Sequence, residues 1–273
     1  MLYLCAMYKG TLKFINRNSA ARGIVRLLRN IDAPEFHREI AELDFRTPVG
    51  IASGFDISAE YYLGVSAMGC GFEIIGPLSY TQKGGVKEAV DNVRNRPPKR
   101  IRLGLNITKA PSSKTEDDVA HDFLDAFGYA YDFMDFFVLN FSSDSIGAVH
   151  ELAFIKAITD PILDSRMSCD DYRPVLLRLS HTLNREQLEQ ILDYCLMNGV
   201  DGVLTGGAGL LKATVEFTKG RLPVIAVTRT RRAAEAVSLL DAGATMVALE
   251  RTPGSFRSRF PKSILKLLRS PRQ

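Results

Sequence analysis

At 273 residues the chain is long enough for one large domain with a sizeable core, and 46% hydrophobic with 24% charged residues excludes disordered and collagen-like classes. The formal net charge is only +4, yet residues 1–31 (Lys9, Lys13, Arg17, Arg22, Arg26, Arg29) and 251–273 (Arg251, Arg257, Arg259, Lys262, Lys266, Arg269, Arg272) carry bases and no acid. Such ends suit either an anionic membrane surface or solvated helix faces; a nucleic-acid partner is not expected.

The opening MLYLCAMYKG lacks a signal-peptide pattern, and nowhere is there an apolar run of about 18 residues, so no membrane-spanning helix is expected. Within the first 46 residues, SAARGIVRLLRNI places Ile24, Leu27, Leu28 and Ile31 on one helical face among arginines. Residues 1–46 therefore read as a helical extension, which either packs on the domain that follows or lies on a membrane surface.

From residue 47 to 273 the pattern changes. Eight short apolar runs recur: PVGIAS (48–53), FEIIG (72–76), IRLGLNI (101–107), FFVLNF (136–141), PVLLRL (174–179), DGVLTG (201–206), PVIAV (223–227) and TMVALE (245–250). They do not alternate with polar residues, as expected of strands buried on both faces. Helix-like stretches lie between them, among them NREQLEQILDYCLMNG, where Asn184 is placed to cap with Gln187 as capping-box partner and Gly199 to close the helix. This alternation fits a (β/α)8 barrel or a doubly wound open sheet, and its size favours the barrel.

Cys5, Cys70, Cys169 and Cys195 show no Cys-x-x-Cys spacing, and His37, His121, His150 and His181 no ligand spacing. No metal and no disulfide framework are expected, and a reducing cytoplasm fits best, with attachment to the cytoplasmic membrane as the role left to the basic ends.

In a barrel the site is built where strands end. The fourth run exits through Asn140 and, after two residues, Ser143, which could be a turn former or a proton acceptor in a dry site. The third ends in Asn106 and Lys109, the fifth carries Arg178, and the first ends in Ala52, Ser53 and Gly54. An amide, a cation and a close-approach glycine would suit a planar polar ring such as a flavin; alternatively Asn106 and Arg178 fill a polar layer of the barrel.

The order of motifs TPVGIASGFD, AMGCGFEIIG, LGLNITK, VLNFSSDS, RPVLLRLSHTLNREQLEQI, GVDGVLTGGAGL, GRLPVIAV and AGATMVAL resembles the dihydroorotate dehydrogenases, especially the quinone-linked, membrane-associated class, from about residue 46 to 250. That resemblance implies an FMN-dependent (β/α)8 barrel that oxidises dihydroorotate to orotate in pyrimidine biosynthesis. It implies Ser143 as the catalytic base, Asn140 and Asn106 as substrate-binding residues, and Ala52, Ser53, Gly54, Asn106, Arg178, Thr228 and Arg229 at cofactor positions.

The departures from the family pattern point the other way. Ile57 stands where the family has a lysine, Asp144 and Ser145 follow the serine in place of proline and asparagine, and Gly206 and Gly207 replace a threonine and an asparagine. Thr228 and Arg229 replace the double glycine that would hold the FMN phosphate, and Glu250, Arg251, Thr252 and Pro253 replace an aromatic-Ser-Gly stretch. Two expectations follow: an altered flavin oxidoreductase, or a pseudoenzyme that has kept the barrel as a binding, scaffold or regulatory protein.

Overall fold

A computed structural model describes residues 2–28, 34–81, 84–95, 101–142, 151–230, 232–250 and 260–269. All eight apolar runs form parallel strands: β3 (Val49–Ile51), β4 (Phe72–Leu78), β5 (Arg102–Ile107), β6 (Phe136–Asn140), β7 (Val175–Arg178), β8 (Gly202–Gly206), β9 (Val224–Thr228) and β10 (Met246–Leu249). They close in the order β10-β3-β4-β5-β6-β7-β8-β9, each paired in parallel with its neighbours. The fold is a (β/α)8 barrel, and closure leaves no sheet edge.

Helices follow the strands: α3 (Tyr62–Ala67), α4 (Val86–Arg94), α5 (Glu116–Ala130), α6 (Leu152–Met167), α7 (Arg185–Met197), α8 (Ala208–Thr218), α9 (Ala233–Asp241) and α10 (Phe260–Arg269). The predicted cap of α7 is present, with Asn184 and Gln187 exchanging side-chain and backbone hydrogen bonds. Thr115 and Asp118 make a second such box on α5, whose two amide donors hold the Asp118 carboxyl below its ordinary range.

Alternate strand residues face the barrel interior. Phe72, Ile74, Phe136, Val138, Leu176, Leu204, Ile225 and Met246 pack there with Ile40 and Phe45. The last two come from an antiparallel hairpin, β1 (Arg38–Ile40) and β2 (Leu43–Phe45), that the sequence did not announce. Phe45 is 1% exposed and meets the Phe72 and Phe136 rings edge-on at 5.9 and 5.8 Å, at the first residues of β4 and β6. The hairpin thus stoppers the strand-entry end. Gly50 and Gly104 make room for it, since a Cβ at either would collide with the Phe72 or Phe136 ring.

With the entry end filled, the polar residues collect at the exit end. The N-terminal helices α1 (Leu2–Arg17) and α2 (Ser19–Leu28) lie beside that end. Leu12 is buried against α3, Lys13 pairs with Glu60 at 2.7 Å, and the Asn16 side-chain carbonyl accepts the Leu63 N–H at 2.8 Å in the first turn of α3. Arg22 reaches back to the Asn16 carbonyl at 2.6 Å, fixing the α1–α2 corner. Phe14 and Ile24 remain exposed. Among the described residues no helix is long and apolar enough to cross a membrane.

Candidate ligand site at the barrel mouth

Strand parity turns Asn106, Asn140 and Arg178 inward from three neighbouring strands, one step above the apolar interior. Ala52 roofs that interior at 1% exposure, and the next residue, Ser53, is the hub of the mouth. Its hydroxyl oxygen accepts Asn106 Nδ2–H at 2.5 Å and Arg178 Nη1–H at 3.2 Å, which ties β5 and β7 to the exit of β3 across the barrel. Asn106 is fully buried, and its Oδ1 has no hydrogen-bond partner among the described residues. That leaves a buried acceptor unmet at the level of Ser53.

Gly54 has φ +98, a backbone that favours glycine, and its N–H donates to the Gly76 carbonyl at 2.6 Å. An added Cβ there would meet no atom, so the face above Gly54 is open space. Asn140 pairs in register with Arg178, and its Oδ1 accepts from the Ser142 N–H at 3.0 Å and the Ser142 hydroxyl at 2.7 Å. The carbonyl of Asn140 is thereby committed to the chain turn, which fixes the orientation of the amide. Ser143, with Asp144 and Ser145, lies outside the described residues.

From Arg178 a cavity of about 460 Å³ extends over the exits of β8 and β9, lined by Thr205, Gly206, Gly207, Arg229 and Glu250 among others. Gly206, Gly207 and Gly209 border open space, because a Cβ at any of them would touch nothing. Thr205 Oγ1, 1% exposed at the residue level, has no partner among the described residues.

The far end of this cavity is where a phosphorylated barrel cofactor would be held by free backbone amides and cations. Among the described residues several such donors are already engaged. The Thr230 N–H donates to Thr228 Oγ1 at 3.1 Å, and the Arg232 N–H to Thr230 Oγ1 at 3.0 Å. Arg229 is clasped by Glu250 through two parallel bonds, Nε to Oε2 and Nη2 to Oε1, both 3.1 Å. Glu235, in the first turn of α9, accepts from the Thr230 hydroxyl and from Arg232 Nη1, the latter at 3.3 Å. Arg251, Thr252 and Pro253 lie outside the described residues. The outer end of the cavity thus carries two carboxylates, Glu235 and Glu250, each engaged by an arginine.

Two carboxyls near the exit of β3 have other duties. Asp56 accepts the Glu60 and Tyr61 N–H groups at 2.9 and 2.6 Å, anchoring the loop into α3. Glu73 is fully buried on the outer side of β4, and neither carboxyl oxygen has a partner among the described residues. Burial, with the nearby Asp56 charge second, pushes its pKa well above the ordinary value. The exposed Ile57 brings no charge to the mouth.

Reading the sequence found Asn106, Asn140, Arg178 and the residues around Ser53, but not that Ser53 is the shared acceptor. It also missed Glu235 and the threonine caps. The alternation Thr-Arg-Thr-Arg-Arg at 228–232 was the available signal, since threonines two residues before a backbone N–H are placed to cap it.

A closed parallel barrel with its polar side chains gathered at the strand exits defines the class: a (β/α)8 barrel of the kind that places ligand sites at the C-terminal mouth. No family model matches the chain. The dihydroorotate dehydrogenase (quinone) of Christiangramia forsetii is 24% identical over 88% of this chain and 87% of its own length. A ligand-free dihydroorotate dehydrogenase from Eimeria tenella superposes with a TM-score of 0.76 at 18% identity, covering 90% of this chain and 92% of that one. A mandelate oxidase carrying an FMN adduct shares the fold at a TM-score of 0.53 and 15% identity, over 85% of this chain and 75% of its own. The chain is thus similar over most of its length, at about 24% identity, to quinone-linked dihydroorotate dehydrogenases.

Proposed function

We propose that this protein is a dihydroorotate dehydrogenase-like barrel that binds a small planar polar molecule at its mouth without turning it over through FMN. In this reading it is a pseudoenzyme derived from the FMN-dependent oxidation of dihydroorotate to orotate in pyrimidine biosynthesis, acting as a binding or regulatory protein. The observation that carries it is the bidentate Arg229–Glu250 pair, which engages Arg229 and sets a carboxylate at the outer end of the cavity. At the ring end Asn106, Asn140 and Arg178 are kept together, with the Arg178 guanidinium and the Asn140 amide N–H suited to the carbonyl and carboxylate oxygens of an orotate-like acid.

Purified protein should be colourless, should show no flavin absorbance after incubation with FMN, and should still bind orotate by calorimetry, with Asn106→Leu abolishing that binding. Yellow protein whose flavin is bleached by dihydroorotate under anaerobic conditions would overturn the reading.

Retention of Asn106 and Asn140 favours the second reading, a working FMN-dependent oxidoreductase in which Ser143 is the base. Under it Ser143→Ala slows flavin bleaching by about 10²–10⁴-fold. The basic N-terminal helices, with Phe14 and Ile24 exposed beside the mouth, support peripheral attachment to an anionic membrane surface. Liposome flotation with and without residues 1–31 tests this: flotation of both forms, or of neither, would refute it.

A further inference from the structure

We propose that the mouth selects against phosphorylated ligands and takes an unphosphorylated planar heterocycle with carbonyl oxygens on its edge, with Glu250 as the specificity-determining residue and Glu235 as its support. This goes beyond the preceding reading and does not depend on whether the site turns over.

A phosphate monoester carries close to two negative charges at neutral pH and requires several N–H donors or cations at once. Around the outer end of the cavity the chain supplies both the donors and the anions that consume them. Arg229 gives two of its N–H groups to Glu250. The backbone N–H groups of Thr230 and Arg232 are capped by the Thr228 and Thr230 hydroxyls. At the start of α9, where the helix dipole favours negative charge, the Glu235 carboxylate is already in place and engaged by Thr230 and Arg232. A ligand phosphate arriving here would break the Arg229–Glu250 pair, uncap the loop amides, and then lie beside two carboxylates that had lost their partners.

The inner part of the same cavity makes the opposite demand. Its volume of about 460 Å³ lies within the roughly 300–1,000 Å³ typical of small-molecule pockets. Gly206 and Gly207 leave a side-chain-free surface on which a flat ring can rest. Arg178 brings a guanidinium to one edge, suited to ring carbonyl oxygens. Of the buried oxygens without a partner among the described residues, Thr205 Oγ1 lies in the cavity lining. A flat ring with carbonyl oxygens along one edge would meet Arg178 there. The isoalloxazine ring carries such an edge, and riboflavin carries the ring without the phosphate.

The two flavins differ only in that phosphate, which makes them matched probes. Titrating the full chain with riboflavin and with FMN, and following quenching of flavin fluorescence, should show riboflavin binding at least about tenfold more tightly, since a single like-charge contact at a partly exposed site suffices for that ratio. Glu250→Gln should improve FMN binding and leave riboflavin binding nearly unchanged; Glu235→Gln should do the same more weakly and serves if the first variant does not fold. FMN binding as tightly as riboflavin in the wild type, or a ratio unmoved by either folded variant, would overturn the proposal. If neither flavin quenches, the proposal falls while the pseudoenzyme reading stands; if FMN quenches and the loaded protein oxidises dihydroorotate, that reading falls as well.

Discussion

Replacing Ser53 by alanine removes the one oxygen that accepts both Asn106 Nδ2–H and Arg178 Nη1–H. Arg178 is only partly buried and regains water, so its share of the loss is small. Asn106 is fully buried, its Oδ1 already lacks a partner among the described residues, and the substitution strands its N–H donor as well. Leaving a buried donor unsatisfied costs about 1–3 kcal/mol. At this chain length each kcal/mol corresponds to a fall in Tm of roughly 2–4 °C. Urea unfolding of Ser53→Ala should therefore show a loss in that range. The double variant Ser53→Ala with Asn106→Leu should lose less than the sum of the single changes, because the stranded amide is gone. A single-variant loss within about 0.5 kcal/mol, or strict additivity in the pair, would refute the account of Ser53 as the hub of the mouth.

Glu73 sets a pH dependence. Its folded pKa lies above the unfolded value of about 4.3, first through burial and then through the Asp56 charge. The folded protein thus holds a proton that the unfolded chain releases, so this contribution is fully present below about pH 4.3 and is lost as pH rises toward the folded pKa. Glu73→Gln should flatten the decline in urea midpoint as pH rises above about 4.3, whatever its absolute stability; parallel wild-type and variant slopes would contradict this. Phe45→Ala should cost about 3–5 kcal/mol by emptying the stopper of the barrel, read by urea unfolding, and a loss below about 1 kcal/mol would show that the hairpin does not close it. Alkylation of the folded protein should modify the exposed Cys169 and spare Cys70 and Cys195, since burial pushes both buried thiols up, Cys195 to about 12; labelling of either at the rate of Cys169 would count against that packing.

The strands were legible because parallel barrel strands are buried on both faces, and runs such as FFVLNF and PVLLRL carry that signature over their whole length. The α7 cap was legible for a similarly local reason, as Asn184 and Gln187 lie three residues apart. The β1–β2 hairpin was not, because Phe45 acquires its role only through Phe72 and Phe136, 27 and 91 residues away, with Gly50 and Gly104 vacating the space. The mouth divides in the same way. Asn106, Asn140 and Arg178 end apolar runs and could be read from their places, whereas the clasp of Arg229 by Glu250 joins two strands 21 residues apart. Sequence alone allowed Arg229 to attract a phosphate and Glu250 to repel one; their geometry shows each consuming the other.

The central claim is that the chain's own groups fill the phosphate end of the mouth. Its most direct test is the flavin content of the purified protein, incubated with excess FMN, passed through gel filtration and heated to release any bound flavin for absorbance measurement. Essentially no flavin per chain is expected, and a stoichiometric amount of FMN would contradict the claim.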